Sequence, residues 1–187
     1  MANVDRPNGF RPFRHANGAA YNGAFERMIA QENVFLGDLV EPVTTGILIG
    51  DGGYQEVARA ETGDPVVGVV VGWEPNPSDL GALYHASSAT RCVYVARCDD
   101  LILLAQNDGA MTHTDTGLNV DFVVAAGSTT TGASNMEVNS ATEATTNTLD
   151  LRIVGFLDSP SNETTAANAK MLVRVNRSWQ ANQVAGV

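Results

Sequence analysis

The chain has 187 residues, of which only 17% are charged, and its formal net charge is −10. This acidic balance argues against nucleic acid as a partner for the body of the protein, because phosphate binding relies on clustered lysine and arginine. A single lysine, Lys170, against many threonine, asparagine and glycine residues favours strands and tight turns over surface helices, and the length suits one domain.

The hydropathy of the chain predicts no membrane partner. No apolar run reaches the roughly 18 residues that cross a bilayer. The first residues form no apolar segment of the kind that directs secretion. We therefore expect the protein to be made in a cytoplasm.

The N-terminal segment is basic and is interrupted by proline and glycine. This pattern predicts an extended arm over residues 1–20, ahead of a β-rich domain over residues 21–187. Arginine side chains pair bidentately with carboxylates, and phenylalanine supplies apolar anchors. We expect the arm to dock on a neighbouring subunit through Arg6, Pro7, Phe10, Arg11, Phe13 and Arg14. The alternative is an N-terminal strand folded onto its own domain.

The next part of the chain contains several short apolar runs. Residues 24–33 fit either a short helix or an irregular strand. Residues 34–43 are predicted to form a strand bent at Gly37, and residues 47–60 to form a hairpin around an Asp-Gly-Gly turn. Residues 65–77 begin with a run of valines that is typical of a short buried strand.

The second half adds further predicted strands. Two lie within residues 91–107, and one lies in each of 118–127, 146–158 and 169–179. The segment 127–147, rich in serine and threonine, is either an ordered polar excursion or a flexible linker. About nine short strands separated by turn residues predict an all-β fold, a single β-sandwich or barrel.

The chain contains no recognisable catalytic signature. His113 and Asp115 are the best acid–base candidates, because residues two apart share one face of a strand, but a surface or interface histidine is the expected role. Asp99 and Asp100 are predicted to lie in a solvated turn. Glycine-rich phosphate loops and the nucleophile elbow are both absent. We expect no enzyme activity, no cofactor and no metal.

Two cysteines and two tryptophans complete the list of candidates. Cys92 and Cys98 lie six residues apart, about 20 Å along a strand, which is too far for a disulfide. We expect both to be buried, reduced thiols. Trp73 and Trp179 could stack on sugars, although packing in a core or interface is the favoured role.

Four segments resemble those of tailed-bacteriophage capsid decoration, or cement, proteins: MANVDRPNGFRP, GVVVGWEPNP, GLNVDFVVAAGSTTTG and NAKMLVRVN. The resemblance implies a β-rich domain of jelly-roll or tulip-like type, commonly a homotrimer, on the exterior of the virion capsid. It implies the major capsid protein as partner, no enzyme activity and no cofactor.

These features predict a structural virion protein that binds the outside of a phage capsid and bridges major capsid protein subunits. Three alternatives remain open at this point. One is another virion component, in the neck, tail or fibre base. The others are a carbohydrate-binding β-sandwich module that uses Trp73 or Trp179, and a hydrolase with an unfamiliar site.

The purified protein is expected to be a homotrimer. A chain with few charges and many neutral polar residues suits extensive contacts between subunits. The resemblance to capsid decoration proteins implies that three subunits assemble. Light scattering at micromolar concentration should therefore give three times the monomer mass. A monomer in solution, together with no trimer on the virion, would contradict the prediction.

Overall fold

The structure is a computed structural model that describes residues 3–43, 47–49, 52–87, 89, 91–181 and 183–186. It contains a closed five-stranded barrel and an open five-stranded sheet, with two short two-stranded ribbons beside them. Over these ranges there is no α-helix, and a single 3₁₀ turn covers His113–Asp115. The prediction of an all-β fold is confirmed.

The described residues form fourteen strands. In chain order they are β1 (Arg11–His15), β2 (Glu26–Ala30), β3 (Leu39–Pro42), β4 (Ile47–Ile49), β5 (Gly52–Tyr54), β6 (Glu56–Arg59), β7 (Gly68–Trp73), β8 (Cys92–Arg97), β9 (Leu101–Gln106), β10 (Asn119–Val120), β11 (Phe122–Val123), β12 (Glu137–Val138), β13 (Leu151–Phe156) and β14 (Lys170–Val175).

The barrel closes in the order β2-β6-β3-β7-β8, with β2 paired to β8. Its pairs are antiparallel except for β2 with β6, which run parallel. Small β-branched side chains fill such a narrow interior well. The interior consists of Met28, Ala30, Val34, Val40, Val57, Val67, Val70, Val93 and Val95.

The open sheet has the order β1-β9-β14-β13-β10, and its pairs are antiparallel. Side chains alternate across it as the sequence predicts. In β14, Met171, Val173 and Val175 are buried, whereas Leu172 and Arg174 lie on the opposite, outer face.

The sheet packs against the outer wall of the barrel through one large core. Leu39, Val69 and Ala96 come from barrel strands and contact the inner face of the sheet, represented by Leu103 and Met171. The chain passes directly from one part to the other after β8. A single hydrophobic core therefore joins barrel and sheet.

Most of the sequence-based strand predictions are confirmed. Of the two alternatives for residues 24–33, the structure shows a strand, β2. The backbone bends at Gly37, whose φ of 93° lies in the left-handed region, although regular pairing begins only at Leu39. The predicted hairpin is formed by β4 and β5, while its turn residues 50–51 lie outside the described residues.

Two predicted segments have more structure than the sequence pattern shows. Residues 118–127 divide into β10, which belongs to the open sheet, and β11, which pairs with β12. The serine- and threonine-rich segment 127–147 is an ordered excursion, because it supplies β12 and buries Met136 and Val138 completely.

The N-terminal segment differs from the expected separate arm. Residues 11–15 form β1, an edge strand of the open sheet paired to β9. Phe10 is only 1% exposed, and its ring meets that of Phe122 edge-on, with centroids 6.3 Å apart. Just before it, a Cβ on Gly9 would lie 2.5 Å from the carbonyl oxygen of Gly37. The alternative of a strand folded onto its own domain describes this segment better, because burying Phe10 holds it there.

Replacing Phe10 by alanine should destabilise the fold by about 3–5 kcal/mol, because it removes a buried aromatic ring and leaves a cavity. Phe13 is 41% exposed, so Phe13→Ala is a matched control that should cost less than about 1 kcal/mol. Chemical denaturation of the two variants measures the difference. Equal losses would contradict the placement of Phe10 in the core.

Candidate docking site

A pocket rich in positive charge lies on the outer face of the open sheet. It consists of two adjoining cavities of about 120 and 400 Å³. Its walls come from the N-terminal segment, from β9 and β14, and from the loop before β14. The lining residues are Asn3, Val4, Arg6, Asn8, Gly9, Arg11, Leu104, Ala105, Gln106, Ser161, Asn162, Asn168 and Lys170.

Sheet register brings the cationic side chains together. Arg11 pairs with Leu104 of β9, and Lys170 of β14 pairs with Gln106 of the same strand. Neighbouring strands are about 4.8 Å apart, so the backbones of β1 and β14 are separated by about 10 Å. Arginine and lysine side chains are long enough to reach toward each other across this distance.

Gln106 fastens the N-terminal segment over the sheet. Its side-chain amide donates to the carbonyl oxygen of Val4 at 3.1 Å, and its side-chain oxygen accepts from the backbone N–H of Arg6 at 3.3 Å. The Asn3 amide also donates to the carbonyl oxygens of Glu163 and Ala167. These bonds hold Arg6 beside the pocket.

The charges of the pocket are not neutralised within the described part of the chain. Arg6, Arg11 and Lys170 line it, and no aspartate or glutamate does. The ion pairs between arginines and carboxylates in the described ranges use Arg27, Arg97 and Arg177 instead. In the described ranges, an acidic protein thus presents side by side three cations that form no ion pair, an arrangement that attracts negatively charged groups.

An apolar groove of about 320 Å³ continues from the pocket on the other side of β1. Asn8 and Arg11 line both features, so the two are contiguous. The remaining walls of the groove are Phe10, Pro12, Leu36, Gly37, Val70 and Val71. Leu36 is 41% exposed, so apolar surface remains open to solvent here.

The predicted docking residues fall into different environments. Arg6 and Arg11 line the pocket, and Phe13 is exposed. Phe10 belongs to the core and lines only the floor of the groove, so its expected role as an anchor on a partner is not supported. Pro7 is half-buried, and Arg14 lines neither the pocket nor the groove.

Sequence reasoning missed Lys170 as a site residue. It lies 159 positions after Arg11 and reaches the pocket only through the pairing of β14 with β9. The one available signal was its rarity, since it is the only lysine of the chain.

The side chains of His113 and Asp115 bond to different partners rather than to each other. The Nε2 atom of His113 lies 3.0 Å from the hydroxyl of Thr164, whereas the Asp115 carboxylate accepts from the backbone N–H of Thr112 and caps the 3₁₀ turn. Asp99 and Asp100 occupy the turn between β8 and β9, as predicted.

The aromatic and thiol candidates are also separated. The backbone N–H of Trp179 donates to the carbonyl oxygen of Val66, whereas Trp73 ends β7 about 20 Å further along the chain from Val66. The two rings therefore form no shared platform.

Cys92 and Cys98 are free and fully buried, as predicted, and burial raises the pKa of both thiols. In the ranges that the structure describes, no cluster of three metal-binding side chains occurs.

A buried carboxylate supports the groove from below. Asp38 is fully buried, and one of its oxygens accepts from the backbone N–H of Phe35 at 2.9 Å, closing the turn that presents Leu36 and Gly37. Its other oxygen has no hydrogen-bond partner. Burial raises the pKa of Asp38 to about 6, and hydrogen bonding, including that from the Phe35 N–H, partly offsets this rise.

Comparisons with known proteins found no matching family model, curated protein or solved structure. Among the residues with described positions, no helix has the length and apolarity needed to span a bilayer.

Asp38→Asn should stabilise the protein more at pH 7.5 than at pH 4.5. Because the folded-state pKa of Asp38 is raised, the protonated form contributes stability below the unfolded value of 3.8, and this contribution is lost as pH rises through about 6. The stability difference between variant and wild type should change by at most about 3 kcal/mol over this range. A pH-independent difference in denaturation experiments would contradict this assignment.

Proposed function

We propose that this protein is a structural virion protein that binds the outside of a phage capsid and stabilises the shell by bridging major capsid protein subunits. The observation that carries the proposal is the contiguous cationic pocket and apolar groove beside β1. Three cations that form no ion pair in the described part of the chain, next to open apolar surface, suit docking on another protein. The resemblance of four sequence segments to capsid decoration proteins supplies the identity of the partner.

The N-terminal segment serves this role as a preformed surface. Paired to β9 and clamped by Gln106, it has little freedom left to lose when a partner docks. Association costs less free energy when the contacting residues are already ordered. The contacts made by Arg6, Arg11 and Phe13 therefore contribute to affinity with little loss to the ordering of the segment.

A shell protein also gains from repetition. Capsid symmetry presents the same surface many times, and a homotrimer would engage three copies together. Linked weak contacts give an overall affinity far above that of one contact. A modest docking surface on each chain is sufficient for stable attachment to a shell.

The protein should add to empty expanded heads of the phage that encodes it, and the amount bound should saturate at a fixed ratio to the major capsid protein. Phe13→Ala should weaken this binding about tenfold, because it removes an exposed aromatic ring from β1, directly after Pro12 of the groove wall. Phe25→Ala, which truncates a 49% exposed ring just before barrel strand β2, is the matched control and should bind normally. Co-sedimentation with purified heads measures both.

Two results would count against this function. One is the absence of saturable binding to heads by folded wild-type protein. The other is antibody labelling of tails or necks alone on intact virions, which would favour a different virion component.

A further inference from the structure

The pocket and the groove together define one recognition surface with two chemistries. Arg11 stands at their junction, because it lines both. On one side lie Arg6 and Lys170, with side chains that form no ion pair within the described ranges. On the other side lie Pro12 and Leu36. An occupant that satisfies both sides must carry negative charge beside an apolar group.

We propose that this surface binds an acidic peptide segment in which carboxylates are followed by an apolar side chain. The carboxylates contact Arg6, Arg11 and Lys170, and the apolar side chain enters the groove at Leu36. The inference deepens the proposed function, on which it rests for the nature of the partner, by naming the kind of segment that docks.

The spacing of the cations fits two carboxylates. Arg11 and Lys170 lie on strands about 10 Å apart and their side chains can converge. Side chains two residues apart in an extended peptide point the same way and are about 7 Å apart. Each could meet one cation, and the planar guanidinium of Arg11 matches a carboxylate bidentately.

Charge and size both favour a short segment over a long polyanion. The chain carries a net charge of −10, so an extended nucleic acid would meet repulsion outside the pocket. The larger cavity measures about 400 Å³, near the lower end for ligand pockets. It accommodates a few side chains and leaves the rest of the peptide in the groove.

A capped synthetic peptide with two glutamates separated by one residue and followed by leucine provides the test. Titration followed by NMR should shift the backbone amide signals of residues around Arg11 and Lys170. Arg11→Gln and Lys170→Gln should each weaken binding about tenfold, in the range expected for charge pairs at an interface. Arg14→Gln removes the same charge from β1 outside the pocket and should change binding less than about twofold. All three variants should keep the wild-type melting temperature.

Control ligands separate the possible occupants. A peptide with glutamines in place of glutamates should not bind, and one with serine in place of leucine should bind more weakly. Inorganic phosphate that binds as tightly as the peptide would overturn the proposal in favour of a small-anion site. If Lys170→Gln abolishes oligomerisation of the protein, the pocket binds a second copy of this chain, and the proposal of an acidic peptide is overturned.

The proposal and the proposed function can fail separately. If Lys170→Gln and Arg11→Gln bind heads normally and the peptide does not bind to wild type, this inference is wrong while the capsid function stands. If the peptide binds as expected but the protein does not add to heads, the proposed ligand chemistry of the pocket is correct and the proposed capsid function is wrong.

Discussion

The structure depends on the packing of the open sheet against the outer wall of the barrel. One continuous core holds these two parts together, and Phe10 enters it from the N-terminal segment. Because this ring is buried against Phe122, the residues on either side of it are held in place. Arg6 and Arg11 consequently occupy defined positions on the surface. The charged pocket therefore depends on the burial of Phe10, which lies between them in the sequence.

The pocket combines order with unpaired charge. Arg27, Arg97 and Arg177 form ion pairs with carboxylates of the same chain. Arg6, Arg11 and Lys170 instead lie beside the amides of Asn8 and Gln106. Mutual repulsion of like charges disfavours this arrangement, so it depends on the backbone pairing of β1, β9 and β14. Neutralising these charges with an external carboxylate would relieve that repulsion.

The strands could be predicted where their pattern is local. In β14 and β13, apolar and polar residues alternate, and burial follows that alternation. β1 could not be predicted in the same way, because Pro7, Gly9 and Pro12 give its surroundings the composition of a loop, and its pairing partner β9 lies about ninety residues away. The pocket was only half predictable. Its arginines are close in sequence, but Lys170 joins them through long-range strand register.

The position of Asn3 has a practical consequence for handling the protein. Its side chain lines the pocket and is tied to the loop at residues 163–167. Any affinity tag or fluorescent fusion joined ahead of it would begin at the rim of the pocket and compete for that space. Cargo displayed on this scaffold is better carried by an exposed turn that does not line the pocket, such as residues 77–81 between β7 and β8, where an insertion meets solvent.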